Sequence, residues 1–445
     1  MTQQMWLRTA FALLLAFMVG WSAGICAAQQ PACSSSAIQE SDCPDSTGNS
    51  AEFHFSLSAC RVVSCYQERY NFGFQFGYVD GVMGAVKEPN GYLYFGSAKS
   101  NSTTCKGTPN TQGVYRLVPD ANEPTHINSA DCSALLFPLN KQGNLTPRGV
   151  TGPYDSDYLG GGPAMEITDG QNKFILLTYH AEFQYGRPRS NLANLFFGTL
   201  GLAVSTDEGK TFRKLGQIIQ PHSSRKLWIK HFPTKSLSVG NGPFILGDEK
   251  YNPVSPHDAD PEKTYLYVFY IDQAPGVCGG NQCLAVARAR LSDVIKAVYD
   301  TNTAAVPYLF RKYYNGNFDE PAATTDVNNN IPSGLYSEVL TGAFSPSIVY
   351  DPTSRRAILA YQVPNEHTIA FRTSSNLVEW NPSLLPLATL DERPKYWVRY
   401  PSLIQTGGEH GTAPQLWIFY THDPNDSKGA WTKATFMARS IKVTQ

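Results

Sequence analysis

The sequence predicts an all-β chain, a five-bladed β-propeller built from four-stranded antiparallel blades. Three observations lead there: an opening that recurs along the chain, an apolar run after each opening that ends in an aromatic residue, and a composition rich in turn formers. Charged residues make up 16% of the 445 residues, beside 36 Gly, 30 Pro and 12% aromatic residues. That balance is typical of many short strands joined by tight turns.

Similar openings recur five times, and in all but the first the second residue is proline. They lie at residues 80–86, 162–167, 242–246, 345–350 and 400–404. The apolar runs that follow lie at 92–95, 174–179, 265–270, 357–361 and 416–420. Third runs lie at 202–205, 284–287, 368–371 and 436–439. A unit of strands A, B, C and D is one propeller blade, and proline is tolerated at a strand's first residue. The alternative is a β-sandwich with accidental similarity between segments.

Residues 1–28 have the order of a secretory signal peptide. Arg8 precedes an apolar run over residues 9–25, and small residues lead to a cleavage site after Ala28. The alternative is a retained membrane anchor, although the run is shorter than the ~20 apolar residues of a spanning helix. We therefore expect a secreted or periplasmic protein with no stable membrane insertion after cleavage.

Two further parts follow the signal peptide: a disulfide-bearing N-terminal segment, 29–70, and the propeller, 71–445. Of nine cysteines, Cys26 leaves with the signal, and an even number in an exported chain indicates disulfides. Cys278 and Cys283 enclose a short loop that a local bridge can close, whereas the other pairings stay open. A zinc site is the alternative, but the chain has no Cys-x-x-Cys pair to support it. The alternating segment 53–57 is expected either to complete the last blade or to cover the bottom face.

The net charge of −1, without a basic stripe, argues against a nucleic-acid partner. The order of the strands sorts the remaining polar residues onto two faces. Carboxylates in the A–B turns fall on the bottom face and are discounted as catalysts. Residues that open strand A or follow strand B fall on the top face, where polar groups converge on the mouth of the channel. Those groups are Asp80, Asp157, Glu338, Arg399, Lys99, His180, Glu182, Asp272, Gln362, Glu366, His367, His422 and Asp423.

Three motifs resemble known families. Residues 205–212 (STDEGKTF) resemble the Asp-box, a structural turn of sialidases and other propellers. Asp80-Gly81, with Phe95-Gly96-Ser97 ending strand B, resembles the five-bladed glycosidases of the arabinanase, xylosidase and invertase kind. Arg399, before Tyr400 and Pro401, is similar to the sialidase arginine that clamps a substrate carboxylate.

The glycosidase resemblance implies an Asp at the first strand A that acts as base or nucleophile, a position matched by Asp80. Where that family carries an Asp in blade two, this chain has Ala164, with Glu166 two residues on. Where a catalytic Glu would open a later blade stands Ser345, and Glu338 would reach in from the preceding loop. The resemblance implies no cofactor, and it leaves open a structural calcium ion in the channel.

We therefore expect a protein that cleaves or binds a poly- or oligosaccharide through two carboxylates. Asp80 is expected as base or nucleophile, Glu338 as acid and Glu182 as reserve acid. The expected substrate-binding residues are His180, Arg399, His422, Asp272 and Glu166, and no metal-binding residue is expected. The alternative is a lectin-like or adhesion propeller without catalysis. In either case exposed aromatic residues of the top loops would stack on sugar rings, namely Phe183, Tyr185, Tyr396 and Trp397.

Overall fold

The fold is described from a computed structural model, and every described residue belongs to one unit, Ile38–Gln445. The described residues are 46–49, 54–58, 61–64, 81–88, 91–99, 112–119, 127–130, 134–139, 153–170, 172–186, 195–274, 283–300, 306–364, 366–380, 388–391, 396–406, 415–424 and 434–444. The expected signal peptide and Asp80 lie outside these ranges.

Sheet I is an antiparallel meander of strands consecutive in the chain. Its strands are β4 (Gly84–Glu88), β5 (Gly91–Lys99), β6 (Gln112–Pro119) and β7 (Ile127–Ala130). The residues Leu93, Tyr94 and Phe95 in the middle of β5 are all buried, although they alternate between the two faces of the strand. Sheet I is therefore covered on both faces.

Sheet II repeats this order, with longer central strands. Its strands are β9 (Ala164–Asp169), β10 (Asn172–Gly186), β11 (Leu195–Ser205) and β12 (Arg213–Ile219). A short strand, β8 (Tyr158–Gly160), pairs with β10 beyond the end of β9, opposite residues His180 to Glu182. This pairing keeps the far part of β10 in the sheet, so His180 and Glu182 lie on a strand rather than in a loop.

Sheet III consists of β14 (Phe244–Asp248), β15 (Thr264–Asp272), β16 (Cys283–Arg290) and β17 (Arg311–Tyr314). It is extended by β18 (Asn317–Pro321) and β19 (Leu340–Thr341). Between sheets II and III, β13 (Leu237–Gly240) runs parallel to β11 and antiparallel to β15. Strand β13 therefore joins the far ends of both sheets in one hydrogen-bonded network.

Sheets IV and V complete the described β-structure. Sheet IV contains β20 (Phe344–Asp351), β21 (Arg356–Val363), β22 (Thr368–Ser374) and β23 (Ala388–Leu390). Sheet V contains β24 (Tyr396–Thr406), β25 (Gln415–Pro424) and β26 (Thr435–Thr444). Its fourth strand is β2 (His54–Leu57), which pairs with β26 on one side and with β1 (Ser46–Asn49) on the other, and β3 (Arg61–Ser64) also pairs with β26. An N-terminal strand thus completes the C-terminal sheet.

The described helices are short and flank the sheets: α1 (Arg225–His231), α2 (Leu291–Tyr299) and α3 (Val306–Leu309). Helix α1 begins at Ser224, whose hydroxyl accepts a hydrogen bond from the Leu227 amide. Helix α2 buries Leu291, Val294, Ile295 and Val298, the spacing of an amphipathic helix. None of the helices in the described part of the chain has the length and hydrophobicity needed to span a membrane.

Apolar layers lie between successive sheets. Phe95 of sheet I and Ile175 of sheet II belong to one buried cluster. Others join sheet II to III, III to IV and IV to V, and one joins Phe419 of sheet V to Tyr94 of sheet I. The first segments of all five sheets line one cavity, formed by residues 82–85, 163–165, 243–245, 347–350 and 403–405. Each sheet therefore contributes residues of its first segment to this cavity and packs its faces against other sheets.

The turn between β11 and β12 is held by the carboxylate of Asp207. It accepts hydrogen bonds from the Thr211 amide (2.9 Å), the Thr211 hydroxyl (2.6 Å) and the Ser205 hydroxyl (2.7 Å). Slight burial raises the pKa of Asp207, but these hydrogen bonds outweigh it and the pKa lies below its ordinary value. Gly209 adopts a φ of 78°, and Phe212 packs edge-on against Phe95 at 5.4 Å. The turn thereby fixes the end of sheet II against sheet I.

Candidate active site

Asp80 lies outside the described residues, but the residue bonded to it, Gly81, is described. A Cβ on Gly81 would lie 3.6 Å from the backbone of Gly161, and a Cβ on Gly161 would lie 3.7 Å from the amide nitrogen of His180. Gly160 is also the strand partner of His180. The start of the first repeat therefore meets sheet II at His180.

His180 and Glu182 lie on the same side of β10, because side chains two residues apart share a face. Nε2 of His180 lies 3.3 Å from Oε1 of Glu182, and its Nδ1 lies 3.1 Å from the carbonyl oxygen of Val239 in β13. The side-chain amide of Gln184 donates a hydrogen bond from Nε2 to Oε2 of Glu182 at 2.9 Å. The side chains of His180 and Glu182 retain 17% and 11% of their exposure, so the pair is sheltered but reachable from solvent.

Asp272 ends β15 and is the strand partner of Val239, so β13 links it to His180. Asp272 has no exposed surface, and its Oδ1 accepts a hydrogen bond from the Ala274 amide at 3.0 Å. Its Oδ2 lies 3.7 Å from Nδ1 of His222. Among the described residues, neither of these two atoms has a hydrogen-bond partner. Three expected site residues, His180, Glu182 and Asp272, are therefore connected through one strand.

Lys312 is buried and interacts electrostatically with Asp272. Burial lowers the pKa of Lys312 to about 8, and the charges of Asp272 and Glu320 oppose this. Its ammonium group donates hydrogen bonds to the carbonyl oxygen of Gln220 (2.9 Å) and the hydroxyl of Ser333 (2.8 Å). Burial, reinforced by the charge of Asp272, raises the pKa of Tyr270 well above its ordinary value. Lys312 and Tyr270 are therefore buried groups that interact electrostatically with Asp272.

Glu338 lies in the connection between β18 and β19 and is exposed. Its Oε2 lies 3.0 Å from Sγ of Cys283, a disulfide-bonded residue at the start of β16. Burial raises the pKa of Tyr336, and the charges of Asp272 and then Glu338 add to this effect. Glu338 therefore faces the same tyrosine as Asp272, from a more exposed position than that of Glu182.

Arg399 and His422 lie on paired strands of sheet V, next to Asp423. Nε of Arg399 lies 3.1 Å from Oδ2 of Asp423, and the ring of Tyr396 lies 4.0 Å from that of His422. Burial raises the pKa of Asp423, and the charges of Arg399 and His422 oppose this. Arg399 is thus occupied on one side by a buried carboxylate.

Glu166 lies away from the other expected residues. It pairs with Ile175 on β10, five residues before His180, or about 17 Å along the strand. Its carboxylate accepts a hydrogen bond from Lys173 at 2.8 Å in an exposed ion pair. The structure therefore does not bring Glu166 to the group formed by His180, Glu182 and Asp272.

Two of the aromatic residues expected to be exposed are buried. Phe183 has no exposed surface and Tyr185 retains 8%, because β10 continues to Gly186 and both residues pack against α1 and β11. The guanidinium carbon of Arg225 lies 3.9 Å from the centre of the Phe183 ring. The expectation that Phe183 and Tyr185 form a sugar platform is wrong. Tyr396 and Trp397 remain half-buried, and Trp397 stacks on His367 at 4.0 Å.

The sequence did not point to His222 or Lys312. His222 follows the fourth strand of its sheet, whereas the site residues were expected at the start of the first strand and after the second. Lys312 lies within a strand, where no spacing rule marks it. In the described part of the chain no three His, Cys, Asp or Glu side chains are arranged to hold a metal ion.

No family model matches the chain, and neither does any curated protein. Several solved structures match the chain. A fructofuranosidase from Schwanniomyces occidentalis matches 59% of the chain with 16% identity and a TM-score of 0.33, and the chain spans 40% of its length. An exo-β-1,3-galactanase from Clostridium thermocellum matches 85% of the chain and 61% of its own length with 10% identity and a TM-score of 0.40.

A third structure, the family 117 glycoside hydrolase Zg3597 from the marine bacterium Zobellia galactanivorans, matches 86% of the chain and 90% of its own length. Its identity is 7% and its TM-score 0.43. These structural neighbours are glycoside hydrolases.

Proposed function

We propose that the chain is a five-bladed β-propeller in which sheets I to V are the blades. The cavity lined by the first segments of all five sheets supports this arrangement. So do the apolar clusters between successive sheets and between sheets V and I. Strand β2 would close the ring by completing the last blade, and residues 205–212 would be its Asp-box.

We further propose that the protein is an exported enzyme that hydrolyses a glycosidic bond at the top of this channel. The ends of β10, β15 and β25 would then share one face, which carries the buried carboxylates Glu182, Asp272 and Asp423. Hydrolysis needs one carboxyl group that protonates the leaving oxygen and one carboxylate that activates water or attacks the sugar.

The contact between Gly81, Gly161 and His180 is the observation that carries the assignment of roles. Asp80, bonded to Gly81, is proposed as the base or nucleophile. Glu182, two residues after His180 on β10, is favoured as the acid over Glu338, because Glu182 is sheltered and anchored by Gln184, whereas Glu338 is exposed.

The remaining residues would shape the sugar site. Asp272 is fully buried, so it would orient His222, whose side chain is partly exposed, rather than contact the sugar itself. Arg399 would contact a neighbouring subsite, beside the half-buried ring of Trp397, whereas His422 has no exposed surface and would only support that subsite. Glu166 has no part in this proposal.

The second candidate function is carbohydrate binding without hydrolysis. The stacked pair of Trp397 and His367, with Tyr396 nearby, favours it, because such rings can hold a sugar in a lectin as in an enzyme. In that function the carboxylates would bind hydroxyl groups rather than transfer protons.

The experiment is a screen of the purified chain against plant, bacterial and host polysaccharides that measures released reducing ends. Asp80→Asn and Glu182→Gln should abolish release, while Glu249→Gln, in an exposed turn, should not. Retention of a polysaccharide in a gel-shift assay without any release would establish the binding function and overturn the hydrolytic one. Release that survives both substitutions would overturn the assignment of roles.

A further inference from the structure

The imidazole of His180 faces an acceptor at each of its two nitrogens. Nδ1 lies 3.1 Å from the carbonyl oxygen of Val239, and Nε2 lies 3.3 Å from a carboxylate oxygen of Glu182. A neutral imidazole carries one N–H and one bare lone pair. It can therefore donate to only one of these two oxygens.

The Val239 carbonyl cannot donate, so its contact with Nδ1 requires the proton on Nδ1. An unprotonated Nε2 would then direct its lone pair at an ionised carboxylate, a repulsive arrangement. One further proton between Nε2 and Oε1 of Glu182 removes the repulsion. We propose that His180 and Glu182 share one proton, and that this pair rather than Glu182 alone is the acid of the proposed hydrolysis.

The surroundings hold the two groups in this geometry. The side-chain amide of Gln184 donates a hydrogen bond to Oε2 of Glu182 at 2.9 Å, which leaves Oε1 to face the imidazole. Tyr158 and Phe196 pack edge-on against the His180 ring, with centroids at 6.0 and 6.1 Å. Gly198 is the strand partner of Glu182, and a Cβ there would lie 2.6 Å from Cε1 of His180. The ring is therefore confined on three sides.

Among the described residues, charged and titratable groups near the pair come from β8, from the segment before it and from α1. Strand β8 contributes Tyr158, and the segment before it contributes Asp157. The carboxylate of Asp157 accepts hydrogen bonds from the backbone N–H of Gln184 (3.0 Å) and the Ser156 hydroxyl (2.6 Å). Arg225 of α1 interacts electrostatically with Asp157. Strands β11 and β13 face His180 with the uncharged residues Phe196, Gly198, Ser238 and Val239. Within the described residues, Glu182 is thus the ionisable group in hydrogen-bond range of Nε2.

The role of the pair rests on the proposed function. As the bond between the anomeric carbon and the glycosidic oxygen breaks, the pair gives its proton to that oxygen. Water supplies a hydroxyl group to the anomeric carbon, and its second proton passes to solvent. Solvent returns one proton to the pair, so each turnover consumes one water molecule and leaves the protein unchanged. His180 acts through Glu182 and is a positioning residue.

The test that does not depend on activity is NMR of the full chain near neutral pH, with ¹⁵N in the histidine rings and ¹³C in the glutamate carboxyl groups. His180→Gln and Glu182→Gln assign the two signals. We expect either a doubly protonated His180 ring or a protonated Glu182 carboxyl group, and in Glu182→Gln a His180 ring with one bare nitrogen. A bare Nε2 beside an ionised Glu182 in the wild type would overturn the proposal.

Kinetics supply the second readout. In His180→Gln the alkaline limb of the kcat profile should move to lower pH by at least one unit, with little change in KM, because the carboxyl group loses its proton partner. A uniform fall in kcat with the limb in place would mean that His180 has only a structural role, and would overturn the proposal. A shared proton in a chain that hydrolyses no polysaccharide would support the pair and contradict the proposed function.

Discussion

Arg399 and Asp423 form an ion pair on sheet V in which Nε lies 3.1 Å from Oδ2 and the aspartate has no exposed surface. A buried pair of this kind adds little net stability, but the loss of one partner leaves a charge uncompensated in a poorly solvated place.

The first prediction is that Arg399→Met lowers the free energy of unfolding by about 3–5 kcal/mol at neutral pH. The pKa of Asp423 is raised by burial against the opposing charge of Arg399. An acid whose folded pKa is raised destabilises the fold once the pH exceeds its unfolded value. The deficit of the variant should therefore shrink at about pH 4, where Asp423 takes up a proton.

Urea unfolding at the two pH values measures this deficit. The double variant Arg399→Met with Asp423→Asn is the control, and it should recover part of the loss because no buried charge remains. A deficit that is the same at both pH values would contradict the account of the ion pair.

The second prediction concerns Lys312, whose contribution to the free energy of unfolding should change with pH in the direction opposite to that of Asp423. Its folded pKa is lowered to about 8, below the ordinary ~10.4 of a lysine in the unfolded chain. Between these values the unfolded chain binds more protons, so the free energy of unfolding should rise with pH, by at most about 3 kcal/mol. Lys312→Met should lack this rise between about pH 8 and 9.5. Parallel slopes in the wild type and the variant, measured by urea unfolding, would disprove the assignment.

The third prediction concerns the space beside His180. In Gly198→Ala the added methyl group would lie 2.6 Å from Cε1 of His180 and 2.8 Å from Oγ of Ser238. Overpacking of this kind costs about 1–3 kcal/mol, and it should also displace the imidazole and lower the activity. Gly186→Ala on the same strand pair is the control, since its nearest contact is an ordinary 3.6 Å. Unchanged activity and stability in Gly198→Ala would show that the ring moves freely.

The fourth prediction tests the turn after β11. Asp207→Ala removes the acceptor of three hydrogen bonds and should cost about 1–3 kcal/mol. Because the folded pKa of Asp207 is lowered, its contribution is present above the unfolded pKa and is lost as the pH falls through the folded value. Glu208→Gln is the control, since Glu208 is exposed and forms an ion pair with an exposed Lys210. Equal thermal stability of the two variants would count against the account.

The sequence predicted the all-β character, because the signals of single strands are local. An opening such as Gly162-Pro163 and an apolar run such as residues 174–179 mark a first and a second strand wherever they occur. The described chain is indeed mostly β-sheet with few helices. Strand β13 was not predicted, since Leu237–Gly240 pairs with two strands of different sheets and no local pattern encodes that contact.

The candidate site could be predicted only in part. The order of strands selected His180, Glu182 and Asp272, which β13 joins through Val239. It misplaced Phe183 as an exposed aromatic residue, because nothing local shows that β8 and α1 keep the end of β10 covered. It also missed His222, whose approach to Asp272 depends on a loop packing across sheets. Contacts between distant segments decide both cases.

The role of Glu182 as the acid of glycosidic-bond hydrolysis is tested most directly by the rate of reducing-end release. This rate is compared between the wild type and Glu182→Gln on the first polysaccharide that the screen identifies. Loss of a general acid should lower kcat by about 10²–10⁴-fold at neutral pH. We expect a fall in kcat of that size, with polysaccharide binding retained. Equal rates in the two proteins would contradict it.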